Sequence, residues 1–295
     1  MNRQMMPSAA LAQQRPVVRG IAVVGVIRNG ARFLAHELAR MRAATAGFAP
    51  VHVLLVESDS TDNTLQVLAG EQLQWPALRF ISAGMLRERI PERTARIAHC
   101  RNLYLDELAG NPLYAALSHV VVADLDRVCC DITASALHSC WTTNTPWDGC
   151  MANQGDWYYD VWALRHPVWC PADAWREQAS LKALFGDAQA TQLAIFARQV
   201  HIAPDQPWIA VDSAFGGLAV YRRDALLRAR YAGLDADGQP ICEHVTLHAQ
   251  MRSQGAQLYI NPQLINARRT KHGGRKGFWR TQRRRLWAWL RRAPA

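Results

Sequence analysis

Three short apolar runs constrain this chain more than any other feature. Ile21 to Ile27 reads IAVVGVI, Val51 to Val56 reads VHVLLV, and Val120 to Ala123 reads VVVA. They are rich in β-branched residues and lack polar alternation, which marks strands buried on both faces in a parallel sheet covered by helices. Helical spacing follows the first two. Ala31 to Arg42 places Phe33, Leu34, Leu38 and Met41 on one face, and Leu65, Val67 and Leu68 open a second helix. Leu78 to Ile81 reads as a third strand, and Arg93 to Leu108 as a helix striped by Ile97, Cys100, Tyr104 and Leu108. Strand and helix in alternation define an α/β protein, here an open, mostly parallel, Rossmann-like sheet flanked by helices.

Asp124 and Asp126 stand where the third apolar run ends. Alternate residues of a strand face the same way, so the two carboxylates converge at the carboxyl end of the sheet, where open α/β sheets bind ligands. Like charges so placed call for a cation. Mn²⁺ or Mg²⁺ suits them, held by one or two protein carboxylates and the oxygens of a substrate diphosphate. The first strand is followed by Arg28-Asn29-Gly30, with neither a G-x-G-x-x-G nor a phosphate-loop G-x-x-x-x-G-K-[ST]. Dinucleotide and phosphate-loop chemistry lose support accordingly.

The seven cysteines are odd in number and contain no C-x-x-C, which argues against a disulfide framework or a zinc site and fits a reducing compartment. The net charge of +10 is concentrated beyond Arg268. No apolar run reaches the roughly 20 residues of a membrane span, and residues 1–19 lack the apolar core of a secretory signal. The expected organisation is a flexible leader over 1–19, one domain over 20–267, and a basic amphipathic tail over 268–295.

The later chain is read more coarsely. Asp131 is expected to cap a helix running toward Trp141. Thr142 to Trp175 is rich in tryptophan and tyrosine. A helical period spans Ala188 to Val200, Pro204 to Gly217 reads as loop, and Leu218 to Tyr221 as strand. Asp224 to Tyr231 and Glu243 to Gln254 read as helices, and Leu258 to Ile260 as the last strand.

Set side by side, several stretches resemble one family. Glu57-Ser58-Asp59-Ser60-Thr61-Asp62-Asn63-Thr64 resembles the nucleotide-sugar loop of GT-A glycosyltransferases, Arg101-Asn102 resembles their A-R-N element, and Asp124-Leu125-Asp126 falls where that fold has its D-x-D. Residues 157–165 (WYYDVWALR), Val211 to Tyr221 and Cys242-Glu243-His244 are similar to the capsule-associated mannosyltransferases of the cryptococcal type and their bacterial relatives. The likeness runs from about Ile21 to Asn266. It implies a GT-A fold, a GDP- or UDP-linked sugar donor and a divalent cation. One departure is that Ser58 stands where the family has an acid, with Asp59 shifted by one.

The resemblance assigns roles. Arg28, Glu57, Ser58, Asp62, Arg101, Asn102 and Asp124 would bind the donor, carboxylates accepting from base or ribose and the arginine fork serving a diphosphate or base edge. A helix-capping Asp62 is the competing reading. Tyr159, Asp160, Trp162 and Arg165 would shape the sugar and acceptor pocket, with a core tryptophan as the alternative for Trp162. Asp212 and Glu243 are the catalytic candidates. Asp124 and Asp126 are the candidate metal ligands, with His244 a third candidate for which a structural histidine is the competing reading.

The basic tail, with Trp279, Trp287 and Trp289 among arginines, reads as an interfacial helix drawn to anionic lipid rather than to nucleic acid. The expected activity is metal-dependent transfer of a hexose, mannose foremost, from a nucleotide diphosphate sugar to a glycan or lipid-linked acceptor, in the cytoplasm at the inner membrane face. A nucleotidyltransferase of similar fold and a non-catalytic membrane- or nucleic-acid-binding module are the alternatives.

Overall fold

The computed structural model describes residues 18–270. In chain order the main elements are β1 (Ile21–Ile27), α1 (Leu34–Thr45), β2 (Val51–Glu57), α2 (Thr64–Gln74), β3 (Leu78–Ser82), α3 (Arg93–Gly110), β4 (His119–Ala123) and α4 (Ala134–His138). There follow β5 (Gly149–Gln154), α5 (Ala174–Phe185), α6 (Asp187–Ala194), β6 (Ile209–Ala210), β7 (Leu218–Arg222), α7 (Arg223–Leu226), α8 (Glu243–Ser253) and β8 (Leu258–Ala267).

The strands form one sheet in the order β3-β2-β1-β4-β7-β5-β8-β6. The first four are parallel, as their apolar runs require. β7 then enters antiparallel between β4 and β5, β8 lies parallel to β5, and the short β6 runs antiparallel to β8. Strand alternation splits the core. Ala22, Val24, Leu54, Val56, Val120 and Val122 face one side, packed with Tyr104, Leu105 and Leu108 of α3. Ile21, Val23, Val53, Leu55 and Val121 face the other, packed with Leu34, Leu38 and Met41 of α1 and Leu68 of α2. Helices cover both faces, so the strands are apolar throughout. Gly25 is required where β1 passes β4, because a Cβ there would lie 2.5 Å from the Ala123 carbonyl oxygen.

Several expectations need correction. Thr133, not Asp131, caps α4 by accepting from the Ala136 N–H at 3.1 Å; Asp131 instead accepts from the Arg268 N–H at 2.7 Å. α4 itself ends at His138, and α7 ends at Leu226 rather than continuing to Tyr231. β5 lies in the aromatic stretch read without elements, and β8 runs on to Ala267. Both strands carry buried amides. Asn153 donates to the carbonyls of Ile202 and Pro262 at 2.9 and 3.0 Å, and Asn266 to that of Gly216 at 2.7 Å. These side chains satisfy backbone carbonyls inside the core, where an unpaired group is costly, and they break the apolar pattern that would have revealed the strands. The stretch beyond residue 270, including most of the expected basic tail, lies outside the described residues, as do residues 1–17 of the leader.

Candidate active site

The loops after β1 and β2 are laced together at the carboxyl end of the sheet. Asn29, at φ +53°, accepts at Oδ1 from the Thr61 N–H at 2.8 Å, and the Gly30 N–H donates to Thr64 Oγ1 at 2.8 Å. Asp62 takes the Ala31 N–H at 3.1 Å on one oxygen and the Thr64 N–H at 3.0 Å on the other. Glu57 is buried and holds the loop from beneath, accepting from the Ser60 N–H at 3.0 Å and Ser82 Oγ at 2.7 Å. Asp59, also at positive φ, accepts from the Arg87 N–H at 2.9 Å, while its carbonyl accepts from Arg28 Nε at 3.2 Å. Asn and Asp tolerate this left-handed conformation better than most residues.

Beside these loops lies a cleft of about 410 Å³. Ten of the residues singled out in the sequence line it: Arg28, Ser58, Arg101, Asp124, Asp126, Tyr159, Asp160, Trp162, Glu243 and His244. Glu57, Asp62, Asn102, Arg165 and Asp212 are not among its lining residues. Asn102 exchanges hydrogen bonds with the Tyr231 backbone at 2.9 and 3.0 Å, Arg165 pairs with Asp173 at 2.6 Å, and Asp212 pairs with Arg252 at 2.6 Å.

The centre of the cleft is ionic. Arg101, 2% exposed, donates from Nε to Glu243 Oε1 and from Nη2 to Asp124 Oδ1, both at 2.9 Å. Its guanidinium lies between the rings of Phe215 and Tyr231, 5.3 and 5.7 Å from their centroids. The fork expected to meet a diphosphate is thus already engaged by protein carboxylates, and only Nη1 lacks a partner. Asp124 is fixed from the backbone as well, its N–H donating to the Gly217 carbonyl at 2.9 Å. Gly216 and Gly217 make this turn at φ +68° and +84°, and a Cβ on Gly217 would meet Val128 Cγ2 at 2.7 Å.

Asp160 accepts from the Gly216 N–H at 3.0 Å. Burial pushes its pKa up to about 6, against the donations from Gly216 and Ala163 and with help from the charges of Asp124 and Glu243. His244 stacks on Phe215 with centroids 3.7 Å apart, and burial followed by the charge of Arg101 depresses its pKa well below the ordinary value. It is therefore a neutral imidazole, the form that ligates metals. Neither of its ring nitrogens has a hydrogen-bond partner.

Among the described residues no group of three or more His, Cys, Asp or Glu forms a metal cage. The donor set nonetheless fits a hard divalent cation shared with a ligand. Asp124 and Asp126 follow the end of one strand and line the cleft, and a neutral buried imidazole with no hydrogen-bond partner lies in the same wall.

The sequence reading gave no role to Arg93, Arg96 or Phe215, all of which line the cleft. Arg93 and Arg96 lie three residues apart at the start of α3, a spacing that puts both on one face; with Arg101 already singled out, that spacing was the available signal.

The mixed α/β sheet with helices on both faces has the fold of the GT-A glycosyltransferases among the solved structures it resembles. No family profile matches the sequence, and no curated protein matches it. Among solved structures, a mannosyltransferase from Pyrobaculum calidifontis in complex with GDP-Man and Mn²⁺ is similar over 94% of this chain and 66% of its own, at 16% identity and a TM-score of 0.50. The 1-349 fragment of S. aureus TarS matches 82% of this chain and 57% of its own, at 12% identity and a TM-score of 0.47. The glucosyl-3-phosphoglycerate synthase of Mycobacterium tuberculosis, in complex with phosphoglyceric acid, matches 85% and 69%, at 14% identity and a TM-score of 0.42. This chain thus spans less than two thirds of the length of the first two.

Proposed function

We propose that this chain is a nucleotide-sugar-dependent glycosyltransferase that uses Mn²⁺ or Mg²⁺ and transfers a hexose, mannose foremost, to a glycan or lipid-linked acceptor. The observation that carries the reading is the position of Asp124 and Asp126, beyond β4 in the wall of a cleft at the carboxyl end of the sheet. The likeness of fold to a transferase holding GDP-Man and Mn²⁺ supports it.

Asp124 and Asp126 would hold the cation, with His244 the third protein donor. When bound, that cation neutralises the diphosphate and stabilises its charge as it leaves. Arg101 keeps Asp124 and Glu243 in place and compensates their charge inside a buried wall. Arg28, Arg93 and Ser58 line the same cleft; on this reading the two arginines add positive charge beside the phosphates and Ser58 meets the nucleoside. Tyr159 and Trp162 offer apolar faces to the sugar, while Asp160 accepts hydrogen bonds from hydroxyls. Ionising near 6, Asp160 also has the basicity to take a proton from an acceptor hydroxyl at neutral pH. No helix among the described residues is long and apolar enough to cross a membrane. On this reading the basic tail beyond residue 268 brings the enzyme to an anionic membrane surface.

Calorimetry with GDP and UDP, with and without Mn²⁺, tests the proposal. Expected is nucleotide binding that requires the metal and weakens at least about tenfold in Asp126→Ala, the loss of one charged ligand. Nucleotide binding that ignores both metal and Asp126, or none at all, overturns it.

A further inference from the structure

The aromatic lining of the cleft continues past its wall. Trp162 lines the cleft, and its ring meets that of Trp175 edge-on, with centroids 6.4 Å apart and planes at 87°. Trp175 is the second residue of α5 and is 47% exposed. What sets Trp175 apart from a singly exposed apolar residue is its contact with Trp162, which makes the two rings one continuous apolar surface running out of the cleft.

The backbones that carry the two rings are tied to each other by a relay of hydrogen bonds. Arg165 donates from Nη1 to the Trp162 carbonyl at 3.0 Å and from Nη2 to Asp173 Oδ2 at 2.6 Å. Asp173 Oδ1 accepts the Trp175 N–H at 2.9 Å, capping α5 with the same carboxylate. The Arg165 backbone is itself tied down, donating to the Ser213 carbonyl and accepting from the Asp212 N–H, both at 2.8 Å. Charge-assisted bonds of this kind are strong and directional, so the pair is set in advance of any ligand.

The geometry points to Trp175 as the outer half of a two-ring sugar platform: Trp162 takes the ring nearest the chemistry, Trp175 takes the next ring of a glycan acceptor, and Arg165 and Asp173 are positioning residues. This rests on the transferase reading. A pyranose presents a C–H face to an indole and hydroxyls to the polar groups around it. Both kinds of partner are present, since Asp160 lines the cleft and the next residue of α5, Arg176, pairs with Asp235. An alkyl chain would use only the rings.

The test follows the Trp175 indole N–H by ¹⁵N NMR in protein carrying diamagnetic Mg²⁺ and nucleotide, the resonance being assigned by its loss in Trp175→Phe. Short manno- and gluco-oligosaccharides are titrated in, and octanol separately. Expected is a saturable shift of the Trp175 resonance with at least one oligosaccharide. Trp175→Ala should raise the KM for that oligosaccharide about tenfold while lowering kcat far less, with most of the loss recovered in Trp175→Phe. Arg165→Lys should also act more on KM than on kcat, and Leu184→Ala, 77% exposed further along α5, on neither. The platform is overturned if no oligosaccharide binds, if one binds and leaves Trp175 unmoved, or if octanol moves it as much. Wild-type protein that binds no nucleotide would instead bring down the transferase reading, so the two failures are distinct.

Discussion

The two ends of the sheet treat their buried histidines in opposite ways. At the end away from the cleft, His119 opens β4 with both nitrogens engaged, Nδ1 with Ser118 Oγ at 2.8 Å and Nε2 with the Trp141 indole N–H at 3.4 Å. Trp141 and Trp147 pack on its ring at 5.2 and 5.5 Å. At the cleft end, neither nitrogen of His244 has a hydrogen-bond partner, Nε2 lying 3.7 Å from Glu243 Oε1, nor has Nη1 of Arg101. The contrast recurs inside α8. His248, one turn beyond His244, is bonded on both nitrogens, to Ser213 Oγ and Tyr221 Oη at 2.8 Å each. An unsatisfied buried polar atom costs roughly 1–3 kcal/mol, so a fold tolerates several together only where something else compensates. On the proposed function the substrate and its cation do so. Satisfied histidines therefore hold the fold, and unsatisfied ones mark its working end.

The largest expected effect comes from the ion triad. Arg101→Met leaves the buried Glu243 carboxylate, and Asp124 with it, without a counter-charge, and should cost about 3–5 kcal/mol in urea unfolding. A loss below about 1 kcal/mol would show that the triad does not organise the cleft. Next come the two histidines of α8. His248→Phe strands two buried hydroxyls and should cost about 2–4 kcal/mol. His244→Phe keeps the stack on Phe215, so stability should change by less than about 1 kcal/mol while metal-dependent nucleotide binding falls about tenfold. The reverse pattern would break the comparison.

Acid should expose the satisfied histidines. Burial, and then the charge of Arg222, lowers the pKa of His119 to about 4, and burial lowers that of His248 to about 3. Below the unfolded value of 6.5 the unfolded chain binds protons that the native state refuses, so stability falls with pH until the folded values are reached. Each histidine should contribute about 1.5 kcal/mol of loss between pH 6.5 and pH 5. His119→Phe should flatten the urea midpoint across that window by about this amount, and an unchanged slope would show that His119 titrates normally.

The sequence was most legible where one physical requirement acted alone. β1, β2 and β4 are buried on both faces, so their apolar runs were clear, and Asp124 and Asp126 could be placed at a strand end before any coordinates. β5 and β8 were obscured because Asn153, Gln154 and Asn266 serve backbone carbonyls, and Asn261 the Ser139 hydroxyl, from within the strands. At the site, residue type was a better guide than role. Arg101 was recognised, yet its use as a buried clamp between Asp124 and Glu243 depends on α3 and α8 meeting, which only the tertiary fold sets. Arg165 was read as a sugar contact for the same reason, since its partner Asp173 caps a helix the sequence reading did not find.

The smallest effect concerns Asp62, where capping and donor binding were both open from sequence. Asp62 accepts the Thr64 N–H, the first of α2, while Asn63 at the cap position makes no side-chain bond. Its other oxygen ties α2 to the loop after β1 through the Ala31 N–H. The Thr64 hydroxyl, ahead of these backbone donors, holds its carboxyl below the usual range, so its contribution is present above the unfolded pKa and lost as pH falls through the folded one. Asp62→Ala should therefore lower stability by about 1 kcal/mol, the usual loss for a cap. Nucleotide affinity should fall only as far as the loosened loop requires, well short of the change in Asp126→Ala. If nucleotide binding instead collapses while the urea midpoint holds, Asp62 belongs with the ligand, and the cleft extends beyond its present wall into the loop between β2 and α2.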